Sequence, residues 1–470
     1  MEQFLTRKPC SSKNLLLKMK NYVYLLAFGW LLGLQSCKMS QSDVLSSTDQ
    51  QLSELLAKTS GKDKAVYLLP KSNDFNKIPQ DPKNPLSADK VALGQLLFHE
   101  TGLAMNPSKS VSYQTYSCAS CHHAKAGFQA CLPQGIAEGG VGFGKVGEAR
   151  LKSSTYSDKE VDVQPIRTPS AMNIAYQTNI LWNGQFGATH LNVNTKSSWT
   201  VDTPKEKNNL GFEGTETQAI AGQGVHHLGF NPNFLLNKPT YSQLYDKVYG
   251  LKSINNPTQA VINVGLAIAA YERTLLSNQA PFQQWLKGEY NAMNEDQKQG
   301  AMLFFGKARC YVCHNGPSLA NMEFHGLGLS DLKNGQYGNS LVVNATDDKV
   351  EHKGRGGFTG RAEDMYKFKV PQLYNLKDSP FYGHGASFAT IEDMITYKNT
   401  ATAQNPKVPK KQLSPEFVPL QLTALEVKKL TEFIKEGLYD PNLKRYVPAA
   451  LPSGFAFPNN DKRSRIDLGF

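Results

Sequence analysis

Apolar residues recur at helical spacing in four well-separated stretches of the chain. In Ser87–Phe98 (SADKVALGQLLF), Ser87 stands where an N-cap belongs, Asp89 falls in the first turn, and Val91, Leu93, Leu96, Leu97 and Phe98 are the apolar positions. Pro257–Leu276 (PTQAVINVGLAIAAYERTLL) is apolar on nearly all sides for several turns, which predicts a buried central helix. Asn294–Phe305 (NEDQKQGAMLFF) repeats the acidic start and apolar end of the first stretch. Thr423–Lys435 sets Leu425, Val427, Leu430, Phe433 and Ile434 at the same spacing and meets a C-terminal breaker at Gly437. No strand-like alternation or hairpin series competes with these patterns. The prediction is a mainly α protein whose helices are joined by long, polar, Asn- and Gly-rich loops too poor in hydrophobes to bury themselves.

The N-terminus follows a different pattern. A basic stretch ending at Lys20 precedes an apolar run, Tyr22–Leu34, too short for a stable transmembrane helix, and then small or polar residues. This is the pattern of an export signal over residues 1–36. The run ends in Leu34-Gln35-Ser36-Cys37, which resembles the lipobox of bacterial lipoproteins and makes Cys37 the candidate lipid-bearing first residue, anchoring the body to a membrane. Residues 37–80, rich in Ser, Gln and Lys at their start, read as a tether with a short helical pattern at 51–58.

Length then narrows the architecture. A chain of 470 residues predicts two or three domains. Its 40% apolar content, 38 Gly and 25 Pro exclude global disorder and collagen. The formal charge of +11 is concentrated in part at the N-terminus, where Arg7, Lys8, Lys13, Lys18 and Lys20 face Glu2 alone. No long Lys/Arg run follows, so the balance predicts a solvated surface suited to an acidic partner rather than nucleic-acid binding.

The cysteines carry the most specific chemistry. Of seven, Cys10 lies in the signal and Cys37 at the lipid site, and Cys131 stands alone as a candidate buried apolar residue. The other four form Cys118-Ala-Ser-Cys121-His122 and Cys310-Tyr-Val-Cys313-His314. C-x-x-C-H is the attachment signature of c-type haem: two thiols reach the porphyrin vinyl groups while the adjacent imidazole binds iron axially. A four-thiolate zinc site would want its pairs roughly 15–20 residues apart and needs no histidine after each pair. A thioredoxin-like pair would want a βαβ context that neither site has. Two covalent haems are therefore predicted, with Cys118, Cys121, Cys310 and Cys313 as attachment residues and His122 and His314 as iron ligands. A helix ending in Leu-Phe precedes each signature, LLFHETGLA (96–104) before the first and LFFGKARC (303–310) before the second. The expected architecture is two cytochrome c-like helical domains, each with one covalent haem, over 81–280 and 281–440, followed by an extended C-terminal tail over 441–470.

In order along residues 81–440, LGQLLFHETGLA (93–104), YSCASCHHAKAGF (116–128), RTPSAMNIAY (167–176), LWNGQ (181–185), AIAAYERTL (267–275), ARCYVCHNGP (308–317), FKVPQLYNL (368–376) and SPFYGHGASFATIEDM (379–394) resemble the di-haem cytochrome c peroxidase family, which includes the enzyme that matures the methylamine dehydrogenase cofactor. The resemblance implies reduction of hydrogen peroxide to water with electrons from a small periplasmic donor, a cytochrome c or cupredoxin. It implies a peroxidatic haem on the first signature and an electron-accepting haem on the second, with Trp182 as a relay between them and Gln218 in the distal pocket. A homodimer is compatible with it. Where the family has a distal glutamate, this chain has His226-His227. Either could serve as acid-base group, cap the first iron, or be a bystander. For the sixth ligand of the second haem, Met394 and Tyr397 share a helix face while Lys398 holds the usual register; of the two, Tyr397 is favoured. A calcium ion between the domains is implied as an option, with Asp378 and Pro380 matching its positions and Arg167 replacing an expected asparagine. Two other readings stay open: a non-enzymatic di-haem electron carrier, and a di-haem oxidase of a protein or small organic substrate.

Overall fold

The computed structural model describes residues 45–338 and 341–470. The export signal and Cys37 lie outside the described residues. The chain from residue 45 onward is built of helices and loops, and its only named strands among the described residues form two short antiparallel ladders. Gly140–Val141 pairs with Leu151–Lys152, and Phe324–His325 pairs with Phe368–Lys369.

The four helices anticipated from the apolar spacing each begin where a polar side chain accepts an orphan N–H. Ser87 caps Ala88–His99, Asn256 caps Pro257–Arg273 with proline at the first position, and Asn294 and Thr423 form capping boxes before Glu295–Phe305 and Ala424–Glu432. The last of these tightens into a π turn ending at Gly437, with Leu438 N–H donating to Phe433 O at 3.1 Å.

These helices bury their apolar faces in two main cores. The first gathers Leu93, Leu97 and Phe98 from Ala88–His99 with Val264, Ala267, Ile268 and Tyr271 from Pro257–Arg273. The second gathers Phe304 and Phe305 with Val427, Leu430 and Phe433. In each, one glycine lets two helix backbones touch. A Cβ on Gly94 would sit 1.8 Å from Ala267 O, and one on Gly300 would sit 2.1 Å from Lys429 O. Gly94 lies four residues before Phe98 and Gly300 four before Phe304, so the same crossing is built twice. Gly94→Ala or Gly300→Ala is expected to destabilise the folded holoprotein by about 2–3 kcal/mol through overpacking, measurable by denaturant unfolding.

Two expectations change at the chain ends. The stretch read as a tether becomes, from Ser47, a docked helix: Ser47–Ser60 carries a Ser46/Asp49 capping box, and Leu52 and Leu56 are fully buried in the second core. Asp49 is buried there too, ion-paired to Lys298 Nζ at 2.8 Å and accepting from Trp285 Nε1 at 2.7 Å. The tail also does more than run extended. Tyr446 enters the first core, Pro458 O accepts from Ser117 and Ser120 Oγ at 3.0 Å, and the chain closes with a helix at Lys462–Leu468.

Candidate active site

Both cysteine signatures adopt the same turn. Cys118–Ser120 and Cys310–Val312 are single 3-10 turns, and the following His122 and His314 N–H groups donate back to Cys118 O at 3.0 Å and Cys310 O at 2.9 Å. Each imidazole is then fixed by its Nδ1, which lies 3.1 Å from Phe128 O in His122 and 3.0 Å from Leu319 O in His314. A carbonyl at Nδ1 sets the tautomer and leaves Nε2 unprotonated for a metal. Burial depresses both histidines to about 4, so they are neutral ligands at physiological pH.

The two turns open on one cavity of about 620 Å³, whose walls include Cys121, His122, Cys310, Cys313 and His314. This is well within the size range of cofactor sites, roughly 300–1,000 Å³. All four thiols are unpaired. Burial raises them to about 12, and Cys313 to about 11, so they stand as protonated thiols. Gly135 keeps the first turn clear, because a Cβ there would stand 3.0 Å from Cys121 Sγ. The wall also includes Lys369, a buried cation without a carboxylate partner, whose Nζ donates to Gln177 Oε1 at 2.5 Å and which burial lowers to about 7. A porphyrin, with two vinyl groups, an iron and two carboxylates, matches this donor set. Cys313 also lies 3.5 Å from His325 Nε2, and with Glu323 these groups could surround a metal ion, but the thiol is the one that thioether attachment would consume.

Around the first turn, the distal candidates separate. Gln218, on helix Gly214–Val225, lines the cavity. His226, the residue that ends this helix, lines it as well, with its Nδ1 2.8 Å from Asp162 Oδ2. Burial pulls His226 down, but the Asp162 carboxylate, by charge and hydrogen bond, more than offsets this and the net shift is upward from 6.5. His227 does not join them. It has a left-handed φ of 51°, and its Nδ1 bonds Glu138, a buried carboxylate also held by Ser108 N–H at 2.7 Å and Tyr156 OH at 2.8 Å. His227 is absent from the cavity wall, which leaves it a scaffold role.

Trp182 lines the cavity, with its indole N–H donated to Arg167 O at 2.8 Å. Beside the second turn, Met394, Tyr397 and Lys398 of helix Ile391–Thr400 all reach the cavity. The Tyr397 hydroxyl donates to Leu327 O at 2.5 Å and accepts from Gln404 N–H at 3.3 Å, and burial raises it to about 12. The Lys398 ammonium is bonded to Glu416 O. Met394 is the one of the three with no such commitment.

Two wall residues had no role in the sequence reading. Asp162 lies in a loop 64 positions before His226, and only the fold brings them together. Glu272, within the AIAAYERTL string, is buried with one carboxyl oxygen unpartnered and is raised to about 8, mainly by burial. A carboxyl without a partner inside an otherwise apolar helix is the signal that could have singled it out.

Two matched helical cores each present a C-x-x-C-H turn to a shared cavity, the arrangement that a di-haem c-type cytochrome requires. The sequence model described as di-haem cytochrome c peroxidase matches residues 88–291 of this chain. The match supports two haem c groups and an oxidoreductase. Among curated relatives, methylamine utilization protein MauG of Methylorubrum extorquens is 26% identical over 77% of this chain and 82% of its own. Cytochrome-c peroxidase IdrP1 of Denitromonas iodatirespirans is 28% identical over 76% of this chain and 84% of its own. Cytochrome c551 peroxidase of Nitrosomonas europaea is 26% identical over 66% and 73%. Among solved structures, a MauG-like protein associated with microbial copper homeostasis shares the fold, with a TM-score of 0.53 and 22% identity over 80% of this chain and 95% of that one.

Proposed function

We propose that this protein is an exported, lipid-anchored di-haem peroxidase that reduces hydrogen peroxide to water in the periplasm, drawing electrons from a small cytochrome c or cupredoxin. The observation that carries this reading is the shared cavity, whose lining includes an Asp-backed histidine and a sulfur ligand candidate. The haems, when bound, supply iron that accepts electrons and delivers them to peroxide.

The chain's own residues do the rest. Cys118 and Cys121, and Cys310 and Cys313, hold one porphyrin each, while His122 and His314 offer Nε2 to iron. Lys369 suits a porphyrin carboxylate. His226 is the proton carrier at the first site: neutral, it takes a proton from incoming peroxide, and it returns that proton to the departing oxygen as water forms. Asp162 orients the ring and stabilises its protonated form, and Gln218 offers an amide to the bound oxidant. Overall, two electrons and two protons convert one peroxide to two waters. Trp182 lies on the path the electrons would take from the second site.

Since the working form of His226 is neutral, the acid limb of kcat/KM is expected above pH 6.5, in the direction Asp162 shifts the imidazole. Asp162→Asn removes the favourable charge and leaves burial, so the limb should move below 6.5. The same pair stabilises the fold fully below pH 6.5, and that contribution fades as pH rises through the elevated value. An acid limb unmoved by Asp162→Asn would remove His226 from proton transfer.

At the second site, Met394 is the proposed sixth ligand, suited to a higher-potential, electron-accepting haem. Met394→Ala should lower that haem's potential, whereas Tyr397→Phe should leave it in place. Redox titration of the holoprotein distinguishes these, and the opposite pattern would restore Tyr397 and with it the oxidase reading.

A further inference from the structure

Arg167 is buried at 2% exposure, yet among the described residues it forms no ion pair with a carboxylate. Its guanidinium donates to Leu132 O at 2.9 Å, Ala130 O at 3.3 Å and Gln129 Oε1 at 3.2 Å, and to Ser379 Oγ. Neutral carbonyl, amide and hydroxyl oxygens are the donors a hard cation gathers, but a calcium site also needs carboxylate charge. Asp378, the acid closest in sequence to Ser379, turns elsewhere: it accepts from Asn375 Nδ2 at 3.2 Å, and burial raises it to about 6. The donor set therefore does not fit calcium. Its centre is filled by a monovalent cation that neutral oxygens can satisfy.

The position of this cation matters. Residues 129–132 follow the first haem-attachment turn, whereas Ser379 belongs to the half that carries the second. The Arg167 backbone crosses the same seam, because its N–H donates to His384 O at 2.9 Å and its carbonyl receives the Trp182 indole at 2.8 Å. Lys369 holds the matching place in the other half. Arg167-Thr-Pro169 and Lys369-Val-Pro371 each lead to a proline whose carbonyl faces a signature histidine, His122 in one and His314 in the other. Lys369 reaches across as well: its Nζ donates to Gln177 Oε1 at 2.5 Å and its backbone N–H to Trp182 O at 2.7 Å. Both cations thus tie the halves together, and Arg167 does so at the place where the resemblance implied calcium.

We propose that Arg167 is a built-in replacement for a divalent cation at the seam between the two haem-bearing halves, so that the path through Trp182 is held in place without calcium. The inference rests on the two-haem reading but not on peroxide turnover. It is tested on the purified holoprotein. Calorimetric titration with calcium chloride should give no binding heat, and the thermal midpoint and haem spectra should be the same in EGTA and in calcium. Arg167→Met should lower the midpoint by roughly 5 °C or more. It should also slow electron equilibration between the haems after one-electron reduction by about tenfold, the scale on which small misplacements are felt, with Arg167→Lys in between.

Calcium binding by the unaltered protein, with a raised midpoint, would overturn the proposal, and this arm stands even where a variant fails to fold. A lowered midpoint with an unchanged inter-haem rate would also overturn it, by reducing Arg167 to a packing residue. Failure of peroxide turnover alone would strike the proposed function and leave these readouts intact.

Discussion

His226→Gln is expected to lower kcat/KM for hydrogen peroxide by about 10²–10⁴-fold, the usual contribution of a positioned acid-base group, with both haems still attached. Glutamine keeps a polar side chain at the end of helix Gly214–Val225 but removes the titratable nitrogen that Asp162 holds at 2.8 Å. The neighbouring change, His227→Gln, should leave turnover within about twofold, because surface substitutions outside a site are usually near neutral and His227 points to Glu138 instead of the cavity. Steady-state peroxide consumption with a reduced donor measures both. Equal losses from the two variants would mean that the helix end as a whole, and not one imidazole, supports the reaction.

Exchange of Cys310 and Cys313 for serine should abolish donor-driven turnover and leave a protein with one haem fewer by intact mass. Those thiols belong to the turn that aims His314 into the cavity, and the second core packs around the same segment through Phe304. The loss should therefore extend to stability, lowering the thermal midpoint as well as activity. The equivalent exchange of Cys118 and Cys121 should instead spare electron uptake at the second haem and remove peroxide reduction. Retention of both haems after either double exchange would show that the signatures are not attachment sites.

Much of this arrangement was readable from the chain because its strongest signals are local. Gly94-x-x-x-Phe98 and Gly300-x-x-x-Phe304 lie on helices whose apolar spacing and caps identify them directly, and each C-x-x-C-H is a five-residue unit with its own chemistry. The elements that escaped are those whose partners lie far away in sequence. Nothing in Ser47–Ser60 alone says that Leu52 and Leu56 dock on a core formed after residue 276, although its Ser-x-x-Asp capping box marks a helix start. His226 and His227 are adjacent and chemically identical, and only the loop positions of Asp162 and Glu138 decide which faces the cavity. Tyr397 looked the better ligand on pattern, but a carbonyl from residue 327 engages its hydroxyl. Arg167 read as a mismatch to a calcium pattern, and only in the fold do its four oxygen partners explain how a guanidinium can be buried there.

Rapid mixing of the half-reduced holoprotein with one equivalent of hydrogen peroxide tests the central reading most directly. The account predicts that peroxide is consumed at the first haem while the second loses its electron at the same rate, and that His226→Gln slows both together. Two low-spin haems whose spectra stay unchanged after peroxide is added would contradict it and leave the protein an electron carrier.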